Sequence, residues 1–375
     1  VENYSHYCTE QLSARAMYML YARKFLSTEE QKRAEKALPS LLKNIESRQL
    51  SNGGFAYWPG NSEAHDWATS MVGEVLTEAR RQGFAVSSQC YDRWKEYQNS
   101  VARRYRHSTT NAADLMQAYR LYTLVLAGEQ PTAAMNKLRE SKSISQQALL
   151  RLAAAYALAG REDVAEKLLE KSNSTKAVNG SYATFWSPLR DKAMALEAWL
   201  IAGDKTTAFK LAKEVADEFS ATLSSTQEVA FVSIAMSRMG DVVGNSVPQI
   251  AISDGNGAGR VIRNLKGVQQ LALSTAQGFI EVENQGNEEI SLSLMLSRTP
   301  SANEDVKPIA NGVEIDVLYA DLKGNAITIG KLQQGEELLA KIRVKKTNDS
   351  SPSMALTYAV PSGWEIWNER LTGGE

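Results

Sequence analysis

Histidine is scarce in this chain of 375 residues: there are only His6, His65 and His107, with no His-x-x-x-His pair and no Cys/His cluster around them. A zinc site of the usual ligand spacing is thereby excluded. Cysteine is rarer still, and Cys8 and Cys90 form either one disulfide in an oxidising compartment or two thiols. Charge of one sign is missing, because 42 Lys and Arg face 43 Asp and Glu for a net charge of −1. No field is available to draw in nucleic acid or anionic lipid. Long apolar runs are absent as well, and stretches such as Ala153 to Ala159 fall well short of the ~20 residues that a membrane span needs. Val1-Glu2-Asn3-Tyr4 carries neither the basic nor the apolar part of a signal peptide, so it says nothing of compartment. There is no Gly-x-Ser-x-Gly, His-Glu-x-x-His or P-loop motif, and Gly255-Asn256-Gly257-Ala258-Gly259 reads as a turn between strands rather than a nucleotide loop. No cofactor is implied.

What is present divides into two periods. The length suits two or three domains. From about Gln11 to about Met239, apolar residues recur three and four apart, most strongly in Leu12 to Leu26, Trp67 to Ala79, Leu115 to Leu126, Ala148 to Ala159, Ala193 to Ile201 and Val229 to Met236. With the weaker segments between them, this predicts about eleven helices. Alanine-rich stretches such as Leu149 to Ala159 alternate with charged ones such as Arg161 to Lys171, which predicts inner and outer helices of an α/α toroid or a helical solenoid. Beyond Gly240 the pattern changes. Val261-Ile262, Leu271 to Leu273, Phe279 to Val282, Ile290 to Leu294, Val313 to Val317 and Leu339 to Val344 read as strands of β-sandwich modules. The expected fold is therefore α+β and multidomain, with a boundary at Asp241 to Ser246.

The segment Tyr4-Ser5-His6-Tyr7-Cys8-Thr9-Glu10-Gln11 opens the first helix and contains Cys-x-Glu-Gln. Residues three apart face each other across one helical turn, so the Cys8 sulfur is expected to reach the Gln11 side-chain carbonyl and form an internal thioester. A helix N-terminus is expected to lower the thiol pKa and favour the attacking thiolate. The plain alternative is a buried cysteine, or a disulfide partner, beside ordinary first-turn residues.

This motif at the start of a helical domain resembles the bacterial alpha-2-macroglobulin family, whose thioester segment reads Gly-Cys-x-Glu-Gln. Further segments are similar to that family in order and spacing: Gly53 to Gly60 followed by Trp67-Ala68-Thr69, Arg190 to Leu196, Ser225 to Ala230, and the tail Leu356 to Ile366. Two positions depart from the pattern, Tyr7 in place of the glycine and Ser5 in place of a proline. The resemblance implies a thioester-bearing α/α toroid of the terpenoid-cyclase type over 1–243, the second half of a CUB-like β region over 244–299, and a macroglobulin-like β-sandwich over 300–375 that stops inside its domain. It implies a fragment of a broad-spectrum endopeptidase inhibitor and not an enzyme. Gln11 would be the acyl donor to lysine amines of an attacking protease and Cys8 the leaving thiolate, with Tyr4 covering the thioester and Glu10 supporting it. Its other partners would be the remaining macroglobulin domains of the parent chain, held in the periplasm or cell envelope by an upstream lipoprotein anchor. His107 is the candidate for the histidine that redirects the thioester in complement relatives, against a solvated residue beside Arg103, Arg104 and Arg106. An alternative keeps the family and drops the chemistry: a thioester-inactive scaffold for protein interaction, for which Tyr7 speaks. A toroid enzyme of the terpenoid-cyclase class would need an Asp-Asp-x-x-Asp run or metal-binding histidines, and neither is present.

Overall fold

The six strongest apolar stripes of the sequence fold as six helices that pack one on the next. They are α1 (Thr9–Tyr21), α3 (Asp66–Arg81), α5 (Ala113–Leu126), α7 (Gln146–Leu158), α9 (Pro188–Ile201) and α11 (Thr226–Val243). Along this series each helix contacts its successor, and α11 returns to contact α1. Between them lie α2 (Thr28–Glu46), α4 (Ser88–Arg104), α6 (Thr132–Arg139), α8 (Glu162–Ser174) and α10 (Lys205–Ala221), each packed on at least one member of the series. The computed structural model describes residues 7–108, 112–175, 181–221, 224–243, 249–253, 260–262, 281–286, 301, 312–347 and 356–367.

Composition follows burial. A helix flanked on several sides needs a nearly continuous apolar surface, and α7 buries every residue from Ala148 to Tyr156. By contrast, α8 buries only Val164, Ala165, Leu168, Leu169 and Ser172, and its remaining positions are charged or polar. Serines start several of the helices: Ser27, Ser87, Ser145 and Ser187 each accept from the amide three residues on. The α7 and α9 ends turn through Gly160 and Gly203, whose φ of +73° and +86° suits a residue without Cβ. At one crossing a missing side chain is required outright. A Cβ on Gly73 of α3 would stand 1.8 Å from the Trp94 ring of α4.

The Leu12 to Leu26 stripe begins as a helix earlier than its apolar residues suggest, at Thr9, because Cys8 caps it; it gives way to a 3₁₀ turn at Ala22–Phe25. Among the described residues no helix is long and apolar enough to cross a membrane.

The chain divides into two compact units, Val1–Ser291 and Leu292–Glu375. In the first, β1 (Ile250–Ser253) pairs antiparallel with β2 (Arg260–Ile262) and β3 (Glu281–Asn284), in the order β2-β1-β3. In the second, β4 (Val313–Ala320) and β5 (Leu339–Lys346) form an antiparallel pair in register from Val313↔Lys346 to Ala320↔Leu339. The tail segment returns to β4, where the Tyr319 and Tyr358 hydroxyls lie 2.6 Å apart and Trp364 meets the Tyr319 ring edge-on. The expected strands at Leu271 to Leu273 and Ile290 to Leu294, the first two residues of Phe279 to Val282 and the Gly255 to Gly259 turn lie outside the described residues.

Candidate functional site

Cys8 is the N-cap of α1, extended at φ −71° and ψ 166°. Its sulfur accepts from the Gln11 backbone N–H at 3.4 Å, while its own N–H donates to Gln11 Oε1 at 3.2 Å. This is the reciprocal capping box normally built from Ser or Thr with Glu or Gln, here made with a thiol. The same two bonds that satisfy the helix start turn the sulfur and the side-chain amide toward one turn of helix, with an N–H already on the amide oxygen. Cys8 is only 2% exposed and Gln11 is half-buried.

Three contacts fix this turn to the rest of the unit. The Thr9 N–H donates to the Tyr57 carbonyl at 2.9 Å, the Thr9 hydroxyl donates to the Ala56 carbonyl at 2.5 Å, and the Arg48 guanidinium donates to the Tyr7 carbonyl at 3.1 Å. The loop that supplies Ala56 and Tyr57 depends on Gly53, at φ +93°, where a Cβ would lie 2.3 Å from the Arg93 carbonyl oxygen. The Tyr57 hydroxyl acts to hold the Cys8 thiol down, and Cys8 adds to the burial that pushes the Tyr57 hydroxyl up. The Tyr57 ring stacks on Phe185 at 5.8 Å and on His65 at 5.0 Å, and meets Trp58 edge-on. Phe185 holds the left-handed conformation at φ +49°, a strained angle for an aromatic residue that places its ring on this cluster.

Glu10 points inward and is 3% exposed. Its carboxylate accepts from the Thr226 hydroxyl at 2.9 and 3.1 Å and from the Gln227 amide at 2.5 Å, both at the start of α11, and its Oε2 lies 3.9 Å from the Cys8 sulfur. Gln227 is fixed in turn, because its Oε1 accepts from the Trp67 indole at 3.0 Å. Burial pushes the Glu10 carboxyl up, against the hydrogen bonds from Gln227 and Thr226.

Burial likewise pushes the Cys8 thiol up, and the hydrogen bonds from Tyr57 and the Gln11 backbone only partly offset it. This reverses the expectation that the helix N-terminus would leave a depressed thiol pKa. Removing the thiolate from water outweighs the dipole here.

No protein-family profile matches the chain. Among curated proteins it is 26% identical to the alpha-2-macroglobulin of Escherichia coli (strain K12) over 345 residues, covering 87% of this chain and 20% of that protein. It is 23% identical to the alpha-2-macroglobulin of Rickettsia conorii, covering 98% of this chain and 20% of that protein. Among solved structures, the native conformation of the E. coli protein aligns with a TM-score of 0.66 at 18% identity, over 92% of this chain and 22% of the other. A Salmonella alpha-2-macroglobulin reacted with methylamine aligns with a TM-score of 0.66 at 20% identity, over 92% and 23%. The relatives are bacterial alpha-2-macroglobulins.

The chain spans about a fifth of the length of these curated alpha-2-macroglobulins. Of the residues that the macroglobulin resemblance singled out, Cys8, Glu10 and Gln11 come together on one turn, whereas Tyr4 lies outside the described residues. His107 follows α4 and is exposed, as are Arg103, Arg104 and Arg106. His65, the N-cap of α3, stands against the Tyr57 ring and is buried enough to hold its pKa below the usual imidazole value. Sequence reasoning assigned no role to His65, Tyr57, Phe185, Thr226 or Gln227. The signal available was that Tyr57, Thr226 and Gln227 fall in macroglobulin-like segments.

A second polar cluster lies within the helical series. Tyr119 donates to Glu74 at 2.7 Å, Tyr122 donates to Glu197 at 2.6 Å, and Arg151 and Arg238 each donate to Glu197 at 2.7 Å. Tyr21 reaches Glu74 at 3.4 Å, and the Arg151 guanidinium lies 4.4 Å from the Tyr122 ring centre. Cys8 and Cys90 are both free and buried, and the Gln49 amide donates to the Cys90 carbonyl at 2.8 Å.

Proposed function

We propose that this chain is the thioester-bearing part of a longer bacterial alpha-2-macroglobulin-like protease inhibitor, with Cys8 and Gln11 as the thioester pair. The observation that carries the reading is the Cys8–Gln11 capping box, which holds sulfur and amide on one turn while an N–H polarises the amide oxygen. Loss of ammonia joins the sulfur to Gln11 Cδ. A lysine amine of an attacking protease then adds to that carbon, the C–S bond breaks, an amide forms, and the proton shed by the amine returns to the Cys8 sulfur. The buried setting of Cys8 and the aromatic cluster at Tyr57, His65 and Phe185 slow the competing attack by water. One molecule reacts once, so the protein acts as a stoichiometric trap. On this reading the helices form the α/α toroid of 1–243, the CUB-like and macroglobulin-like regions follow over 244–299 and 300–375, and the parent protein works in the cell envelope.

Intact-mass measurement tests this. The native chain is expected to weigh one ammonia less than its sequence. Methylamine should add at Gln11 and free one thiol at Cys8, in keeping with a Salmonella relative that was crystallised after reaction with methylamine. A Cys8 that titrates fully in untreated, folded protein would establish the thioester-inactive scaffold instead, the reading for which Tyr7 speaks.

A further inference from the structure

We propose that Glu10 is the proton-transfer group of thioester formation, and that Thr226 and Gln227 at the start of α11 are its positioning residues. This rests on the thioester reading above and concerns how the bond is made.

A carboxylate taken into a protein interior is normally matched to a cation. Glu10 is not. The donors that the structure places on it are the Thr226 hydroxyl, the Gln227 amide and, at the long range of a thiol, Cys8. All three donate toward the carboxylate, which therefore acts as an acceptor, and Cys8 alone among them carries a proton acidic enough to give up. The Gln227 orientation is not free to change: its oxygen accepts from the Trp67 indole, which leaves its NH₂ facing Glu10. Thr226 reaches both carboxylate oxygens and so sets the plane of the group. A proton acceptor is needed here, since the thiol must shed its proton to attack and burial raises its pKa.

The step balances without an outside reagent. The Cys8 S–H proton passes to Glu10 Oε2, and the sulfur adds to Gln11 Cδ. Negative charge develops on Gln11 Oε1, which already accepts from the Cys8 N–H, so the donor is in place before the charge appears. Glu10 then returns the proton to the amide nitrogen, the C–N bond breaks, ammonia leaves, and Glu10 is again a carboxylate.

The test is refolding of the full chain from denaturant, with ammonia loss followed by intact mass and refolding followed by circular dichroism. Glu10→Gln is expected to refold and to lose ammonia roughly 100-fold more slowly, the lower range of general acid–base contributions. Glu10→Ala should be slowed alike and rescued by formate, which a merely structural role would not allow. Thr226→Val keeps side-chain volume while removing one donor, and is expected to slow the step roughly 10-fold; it carries the test if the Glu10 variants do not refold. A wild-type chain that never loses ammonia overturns the thioester reading together with this inference. A wild type that loses it, beside refolded Glu10 or Thr226 variants that lose it equally fast, overturns this inference alone.

Discussion

Glu10 and Glu197 are both buried carboxylates of the helical unit, satisfied in opposite ways. Glu197 accepts from Arg151, Arg238 and Tyr122, two of them cations. Glu10 has neutral donors and a thiol. The Glu197 cluster draws Tyr21 from α1, Glu74 from α3, Tyr119 and Tyr122 from α5, Arg151 from α7, Glu197 from α9 and Arg238 from α11, so every member of the packed series contributes. The Glu10 cluster joins only α1, α3 and α11. Ion pairing locks a carboxylate in one protonation state and ties helices together; neutral donors position a carboxylate and leave it able to take a proton. The first arrangement suits architecture and the second suits chemistry.

The sharpest way to break this contrast is Arg151→Ala. It leaves Glu197 buried with half its cationic partners gone, and breaking a buried pair from one side costs about 3–5 kcal/mol. Chemical denaturation should register that loss. Glu10→Gln, whose partners are neutral, is expected to cost under about 2 kcal/mol in the same measurement. Equal losses in the two variants would remove the distinction drawn above.

The two carboxyls of the larger cluster should also respond oppositely to pH. Burial first, and then repulsion from Glu197, raise the Glu74 carboxyl to about 7. Its folded pKa lies above the unfolded one, so its contribution is fully present below about pH 4.5 and is lost as pH rises through about 7. For Glu197, burial by itself would raise the pKa, but Arg151, Arg238 and the Tyr122 hydroxyl outweigh it and hold the group down at about 2. That contribution is present above about pH 4.5 and is lost as pH falls toward 2. The melting temperature is therefore expected to be highest near pH 4.5 to 5 and to fall on either side. Glu74→Gln should flatten the limb between pH 5 and 7.5, where at most about 4 kcal/mol is at stake at about 1.4 kcal/mol per unit. A neutral limb that is unchanged in Glu74→Gln would show that some other group titrates there.

How far these clusters could be read from the chain depended on range. The six apolar stripes gave the six helices of the packed series because burial on several sides demands near-continuous apolar sequence, as in Ala148 to Tyr156. Cys8 and Gln11 were readable because a spacing of three is local to one turn. Thr226 and Gln227 lie 216 and 217 positions from Glu10, and in the sequence they look like the polar start of a helix. Their segment stands out by its resemblance, but nothing local pairs them with Glu10. His107 attracted attention through a resemblance of region, whereas His65 is brought beside Tyr57 within the segment that links α2 to α3, where Ala56 pairs with Ala64 and the His65 N–H donates to the Phe55 carbonyl. The thiol pKa was misjudged for the same reason: the dipole of a helix start is visible in sequence, and the burial that defeats it is not. In the later part of the chain, Val313 to Val317 and Leu339 to Val344 appear within β4 and β5, where alternation and β-branched residues are strongest.

The smallest expected effect is at Tyr57, and it separates proton handling from shielding at the Cys8 site. The Tyr57 hydroxyl acts to hold the Cys8 thiol pKa down, and its ring joins the stack with His65 and Phe185. Tyr57→Phe removes the first and keeps the second. The hydroxyl would assist a sulfur that departs as thiolate, and one hydrogen bond of about 1 kcal/mol corresponds to roughly a 5-fold slower release of thiol by methylamine. Stability should change by less than that, since the ring remains. Tyr57→Ala should act the other way on a different quantity: with the ring gone, water would reach the proposed Cys8–Gln11 thioester, and spontaneous thiol release without amine should speed up. Thiol titration over time, with and without methylamine, follows both. If Phe and Ala variants shift the two rates together, the ring and the hydroxyl do one job, and the division between a proton-handling side at Glu10 and a shielding side at Tyr57 is lost.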